Sequence, residues 1–194
     1  MEISIRTKQK TTFSLFHVAL LSLLISPITT VGGNQISKYA DEINNPVKSL
    51  TLKEHQDYKA GNGMGFAKAA ELNRYPGPRH VLDLESELEL TRSQKHSTQQ
   101  IFQAMKQEAI ILGNELIEQE RVLNALFQSQ SIDKSMLIEQ LNEISETRSK
   151  LRFIHLNAHL SQTELLTSKQ IDLYNRLRGY GKQTHNSQHS GHSH

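Results

Sequence analysis

Along the second half of this chain, apolar side chains recur at alternating steps of three and four. Phe102, Met105, Ala109, Leu112, Leu116, Leu123 and Leu126 follow that rhythm, with Gln119 as the one polar interruption. The spacing places them on one face of a helix and makes a heptad seam. No Pro and only one Gly, Gly113, interrupt the stretch. A helix over residues 92–128 is therefore predicted, roughly 55 Å long at the rise of an α-helix. A second seam follows from Leu137 through Leu141, Ile144, Leu151, Ile154 and Ala158 to Leu165, predicting a helix over 134–166. Residues 129–132 make a short connection, and Asp133 is suited to cap the second helix. Two long helices joined so closely lie antiparallel and pack seam to seam.

The flanking sequence predicts shorter helices. Thr51 with Glu54, Thr91 with Gln94 and Thr167 with Gln170 each have capping-box spacing, in which hydroxyl and N3 side chain satisfy each other's free backbone N–H groups. Leu166 and Ile171 are spaced as a hydrophobic staple on the third box. These signals start helices at residues 52, 92 and 168; the first runs to Ala60 and closes at Gly61, and the last ends near Arg178-Gly179-Tyr180. Gly61, Gly63 and Gly65 mark a joint, followed by a short helix over 64–73. Tyr75-Pro76-Gly77-Pro78 is a turn, with Pro78 suited to the first position of a helix over 78–89. Residues 34–50 carry only a weak helical pattern, interrupted by Pro46, and read as a flexible segment. No run alternates apolar and polar residues long enough for a sheet. The expected fold is all-α: a long antiparallel hairpin with short flanking helices over residues 51–180.

Composition narrows this picture. Hydrophobic residues make up 36% and aromatics 6% of 194 residues, lean for an α/β core but suited to amphipathic helices sharing one seam. Residues 1–33 are of another kind. Arg6, Lys8 and Lys10 precede an apolar run over 13–28, and Thr29, Thr30, Gly32 and Gly33 follow it. Basic, apolar and small segments in that order are the layout of a cleavable secretory signal, with cleavage near Gly32 or Gly33. The alternative is an uncleaved anchor, for which the run is a little short. Removing residues 1–33 takes three basic and one acidic residue from 22 and 20, leaving 19 of each. That balance gives no electrostatic case for nucleic acid. The chain has no Cys, so disulfides, thiolate ligands and lipid attachment are all excluded. Residues 181–194, rich in Gly, Gln, Ser and His, read as a disordered tail.

Two Leu-Thr-x-x-Gln boxes, Leu90-Thr91-Arg92-Ser93-Gln94 and Leu166-Thr167-Ser168-Lys169-Gln170, bracket the hairpin behind the leader. This arrangement resembles the Spy/CpxP family of periplasmic stress proteins, including the CnrX- and ZraP-type heavy-metal sensor and resistance branch. Gly63-Met64-Gly65, Ala69-Ala70-Glu71-Leu72-Asn73 and Tyr75-Pro76-Gly77-Pro78-Arg79-His80-Val81-Leu82 are similar to the N-terminal region of that branch. So are Leu151-Arg152, His155-Leu156, His159-Leu160 and the closing Tyr174, Leu177-Arg178-Gly179-Tyr180. Each box departs from the usual pattern at its two middle positions, which leaves the cap chemistry intact. The resemblance covers residues 50–180. It implies a four-helix cradle, a homodimer, no enzymatic activity and a location in the Gram-negative periplasm. Its Spy-like members act as ATP-independent chaperones, its CpxP-like members restrain a membrane sensor protein, and its CnrX- and ZraP-like members bind divalent metals.

Candidate chemistry lies in three places. His155 and His159 stand four apart on the second long helix, so their rings share a side and suit zinc, nickel or copper. The alternative is two polar residues flanking a seam. The resemblance adds that metal sensors of the family use His with a second ligand at this spacing. His80, Glu71 and His55 are the candidates for a third ligand, with His80 foremost. The tail residues His185, His189, His192 and His194 form a His-rich tract able to take up metal ions loosely. Phe153, Leu156 and Leu160 on one long helix, with Ile110 and Ile117 on the other, lie away from the seam. They await a client or partner, or else a second subunit or the short helices. The glycine joint has no P-loop Lys-Ser/Thr, and neither a nucleophile elbow nor His-Glu-x-x-His appears. The expectation is a stress-response binding protein that shields unfolded periplasmic proteins or modulates a membrane sensor, without cofactor, nucleic acid or membrane insertion after cleavage. The alternative is a periplasmic heavy-metal sensor.

Overall fold

The structure, a computed structural model, describes residues 36–180. The expected leader and the His-rich tail lie outside the described residues. Contacts divide the chain into two units, Met1–Ser37 and Lys38–His194, and the helices belong to the second. Among the described residues there is no strand. A 3₁₀ turn at Ala40–Glu42 precedes six helices: α1 Leu52–Lys59, α2 Lys68–Glu71, α3 Pro78–Asp83, α4 Arg92–Gln128, α5 Lys134–Leu165 and α6 Ser168–Leu177. None of the described helices is long and apolar enough to cross a membrane.

The seam between α4 and α5 is the centre of the fold. Ala109 and Leu116 of α4 are fully buried against Ile144, Leu151 and Ile154 of α5 in one cluster. The seam is more polar than its apolar rhythm suggested. Gln140, Thr147, His155 and Gln162 are buried, whereas Leu141 is 44% exposed. The buried positions of α5 run 140, 144, 147, 151, 154, 155, 158 and 162, so Leu141 falls one residue off the line. Near the loop end of the hairpin the apolar pattern and the contact line diverge, and Val122, Phe127 and Ile138 are exposed there with Leu141.

The short elements cover part of the hairpin. Helices α1 and α3 pack on α4, and α2 packs on α5. Val47 and Leu50, just ahead of α1, are buried with Tyr58 against the hairpin, and the Ser49 hydroxyl donates to Glu120 Oε2 at 2.7 Å. Helix α1 approaches α4 over Gly113. A Cβ at that position would sit 2.2 Å from the Tyr58 carbonyl oxygen, so the single glycine of α4 marks the place where two backbones meet. A second cluster joins Val81 and Leu88 to Leu166 and Tyr174, holding α3 and α6 at the opposite end of the hairpin from its loop.

All three predicted capping boxes form with both halves in place. The second and third also interlock. Gln94 Nε2 donates to Leu165 O and to Gln170 Oε1, each at 2.9 Å. Gln170 Nε2 donates to Leu88 O and to Gln94 Oε1, each at 3.1 Å. Each glutamine thus caps its own helix and clamps the start of the other.

Two short helices are shorter than the sequence pattern predicts. Residues 64–67 form turns instead of joining α2, because Met64 (φ 44°) and Gly65 (φ 82°) are left-handed. Helix α3 stops at Asp83, where Leu84 leaves the helical region. The following turns end at Glu89 (φ 50°), with Leu90 N–H reaching back to Glu85 O at 3.1 Å. That left-handed closure with a bond spanning five residues is a Schellman-type ending, and it aims Leu90 and Thr91 into α4.

Two outcomes test this packing. Gly113→Ala should lower stability by about 1–3 kcal/mol, the usual cost of forcing extra volume into a close contact, measured by urea denaturation. Gln94→Leu and Gln170→Leu should each cost about 1 kcal/mol by orphaning the part-buried groups of the clasp. The double variant should cost less than the two combined, since either change already breaks the shared clasp.

Candidate functional site

The 61–65 joint, the Gly77 turn, α2 and the start of α3 meet α4 and α5 around a cavity of about 380 Å³. Its walls include Met64, Lys68, Glu71, Gly77, Arg79 and His80 from the short segments, Phe102, Met105 and Lys106 from α4, and His155 and His159 from α5. The two histidines predicted to share a side therefore open into one space. His80 and Glu71 join them, while His55 lies on α1 outside the lining.

His155 is only 4% exposed and stacks on Phe66, with ring centroids 5.8 Å apart. Burial lowers its pKa to about 4, helped by the charges of His159 and Lys106. The ring is thus neutral near pH 7, and its Nε2 is buried without a hydrogen-bond partner. His159 is held differently. Its Nδ1 donates to the Tyr75 carbonyl at 2.7 Å, which leaves the lone pair of the neutral ring on Nε2. A carbonyl that fixes the tautomer in this way is the usual outer partner of a ligating histidine.

Glycine makes room for this ring. A Cβ on Gly77 would stand 2.8 Å from His159 Cε1 and 2.9 Å from Nε2. The sequence marks Gly77 as part of a turn, but its role in admitting His159 is visible only in three dimensions.

Glu71 connects the cavity to α6. Its Oε1 accepts from the Tyr174 hydroxyl at 2.7 Å and from Arg178 Nε at 3.3 Å. Its Oε2 is buried, has no hydrogen-bond partner and lies 3.8 Å from His159 Nδ1. Tyr174 is fully buried, and desolvation, reinforced by the Glu71 hydrogen bond, raises its pKa, so it remains a donor. The Gly77 N–H in turn donates to the Tyr174 oxygen at 3.4 Å. Tyr174 and Arg178 entered the sequence reading only as part of a closing motif. Nothing in their spacing tied them to a carboxylate about a hundred residues earlier.

His80 lies at the cavity edge, with Nδ1 3.2 Å from Asp83 Oδ2 and 38% of its side chain exposed. Among the described residues no three His, Cys, Asp or Glu side chains are gathered closely enough to hold a metal ion. The donors of the cavity nonetheless have the right chemistry. His155 is neutral, His159 is oriented by a carbonyl, and Glu71 keeps one oxygen free. They line one space without converging on a point.

The candidate client residues separate. Ile117 packs on the main cluster, and Ile110 lies under the 61–65 joint, with its Cγ1 2.9 Å from where a Gly61 Cβ would stand. Leu156 is half-buried. Phe153 and Leu160 are 64% and 50% exposed. Phe153 borders a groove of about 320 Å³ between α4 and α5, with Ile101, Ala104, Glu108 and Asn157. Ile111, 66% exposed, is a further open apolar position on α4 that the heptad reading passed over.

No family model, curated protein or solved structure matches this chain.

The lowered pKa of His155 gives a pH dependence. The unfolded ring binds a proton near pH 6.5 and the folded one only near 4, so the unfolded state takes up more protons in between. Stability is then complete above about pH 6.5, falls as pH drops toward 4, and levels off below. The loss from this group is on the order of 3 kcal/mol. Thermal unfolding in chelator-containing buffer should show it, and His155→Gln should flatten that part of the profile.

Proposed function

We propose that this chain is a non-enzymatic transition-metal-binding protein that acts outside the cytoplasm, in the manner of the heavy-metal branch of the Spy/CpxP family it resembles. One observation carries the reading: His155, His159 and Glu71 line the same cavity, and His155 Nε2 and Glu71 Oε2 are both buried without hydrogen-bond partners. Unsatisfied buried polar atoms cost about 1–3 kcal/mol each. An ion accepting those lone pairs removes the cost, so binding and folding are coupled.

The chain's own residues supply the means of response. His155 is held neutral by burial, and His159 presents Nε2 because Nδ1 is engaged. The carboxylate of Glu71 links the cavity to Tyr174 and Arg178 of the C-terminal segment. A pull on Glu71 or His159 strains the Tyr75–Gly77 turn and the seat of α6 together. The packing of the short helices on the hairpin is then the output, readable by a membrane sensor protein. The His-rich sequence of residues 185–194 adds loose uptake of the same ions.

A second reading is supported by Phe153, Leu160 and Ile111, which leave apolar surface open on the hairpin. These positions suit a chaperone that shields unfolded polypeptide without nucleotide. Homodimer formation over the same surface competes with that role.

Calorimetric titration separates the two. The full chain with His185, His189, His192 and His194 changed to Ala should bind one equivalent of zinc, nickel or copper. His155→Ala or His159→Ala should weaken that binding at least tenfold. If no metal binds, and aggregation of a denatured client is suppressed by the parent but not by Phe153→Ser with Leu160→Ser, the chaperone reading replaces the metal one.

A further inference from the structure

The cavity holds a donor type that the histidine spacing does not reveal. Met64 and Met105 both line it, one from the 61–65 joint and one from α4. They are two of the three methionines among the described residues, the third being Met136 near the start of α5. With no cysteine in the chain, thioethers are its only soft sulfur ligands. Met64 is 36% exposed and Met105 is half-buried.

We infer that the metal taken into this cavity is copper(I), bound by the imidazoles of His155 and His159 together with the thioethers of Met64 and Met105. The inference rests on the metal-binding reading above and names its ion. Three features support it. Among the described residues His, Cys, Asp and Glu alone do not assemble a group of three, whereas two methionines line the same cavity as the two histidines. Glu71, the hard oxygen donor, has its Oε1 taken by Tyr174 and Arg178, which leaves one oxygen to set against the two softer sulfur donors. Lys68, Arg79 and Lys106 also line the cavity, a positive surrounding that opposes a divalent ion more than a monovalent one. Thioethers select copper(I), whereas zinc and nickel are better served by nitrogen, oxygen and thiolate. His155 meets the need for a buried, neutral ligand, since its ring is 4% exposed and its Nε2 has no partner.

The test uses the full chain with the four tail histidines changed to Ala, titrated without oxygen with copper(I) against a chromophoric copper(I) chelator, and separately with zinc(II). The expected result is one copper(I) per chain. Met64→Leu and Met105→Leu should each weaken copper(I) binding by about tenfold or more while changing zinc(II) affinity less than about twofold. X-ray absorption of the copper(I)-loaded parent should show both sulfur and imidazole nitrogen around the ion, independent of how the variants fold. A shell of nitrogen and oxygen only, or copper(I) affinity unchanged in both well-folded variants, overturns the inference. Zinc(II) binding that needs His155 but comes without tight copper(I) binding also overturns it and leaves the metal reading standing. Absence of any metal binding removes both.

Discussion

The pairing of α4 with α5 is the constraint from which the rest of this molecule follows. Two helices alone offer each other one narrow face, and a seam of that kind cannot bury every apolar residue along 37- and 32-residue helices. Here the seam is thinner still, because Gln140, Thr147, His155 and Gln162 occupy seam positions. The remaining apolar surface must be covered by other parts of the chain. Tyr58, Val47 and Leu50 do this over the middle of the hairpin, and Val81, Leu88, Leu166 and Tyr174 do it at the end away from the loop. The cavity lies between these two patches of cover, where the 61–65 joint and the Gly77 turn cross the hairpin without filling the space beneath them.

This arrangement explains why the ends of the short helices matter more than their lengths. Gly61, Arg74, Glu89 and Gly179 are all left-handed, and each precedes a backbone bond spanning five residues: Asn62 to Asp57, Tyr75 to Ala70, Leu90 to Glu85 and Tyr180 to Asn175. Glycine adopts that conformation without cost, whereas at Arg74 and Glu89 it is disfavoured. The closures turn the chain sharply enough for three short helices to fit beside a hairpin. The one after Arg74 delivers Tyr75 to His159, so a local backbone bend becomes the hydrogen bond that orients a candidate ligand.

Much of the fold is legible in the sequence because its signals are local. The capping boxes at Thr51, Thr91 and Thr167 depend on residues three apart, and the two long helices depend on a rhythm repeated over many turns. Their start positions and their antiparallel return follow from those patterns alone. What the sequence conceals is long-range. The Gln94–Gln170 clasp joins residues 76 apart, and the Glu71–Tyr174 bond joins residues 103 apart. Neither pairing leaves a mark in spacing. Leu141 misled for a related reason: its apolar character fits the heptad, but the contact line passes through Gln140. At the candidate site, the His155–His159 spacing pointed to a shared side. Gly77, which admits the His159 ring, carries no signal beyond that of a turn.

The polar atoms left unsatisfied around the cavity bear on whether it is merely a packing defect. A defect of this size lined by apolar side chains would stay dry and inert. This one is lined by His155 and Glu71, which carry a buried imidazole nitrogen and a buried carboxylate oxygen without hydrogen-bond partners, each a group that a folded protein normally pairs. Their neighbours are paired with care: Glu71 Oε1 takes two donors, and His159 Nδ1 takes a carbonyl. A chain that secures one atom of a side chain and leaves the other open has fixed the direction of the open atom. Such half-satisfied groups resemble the outer-shell support of ligand sites, where one contact orients the residue and the second contact is made by what binds. The same asymmetry occurs at Asn175 and Gln119 away from the cavity, so at Glu71 it gains meaning only from the histidines that share the space with it.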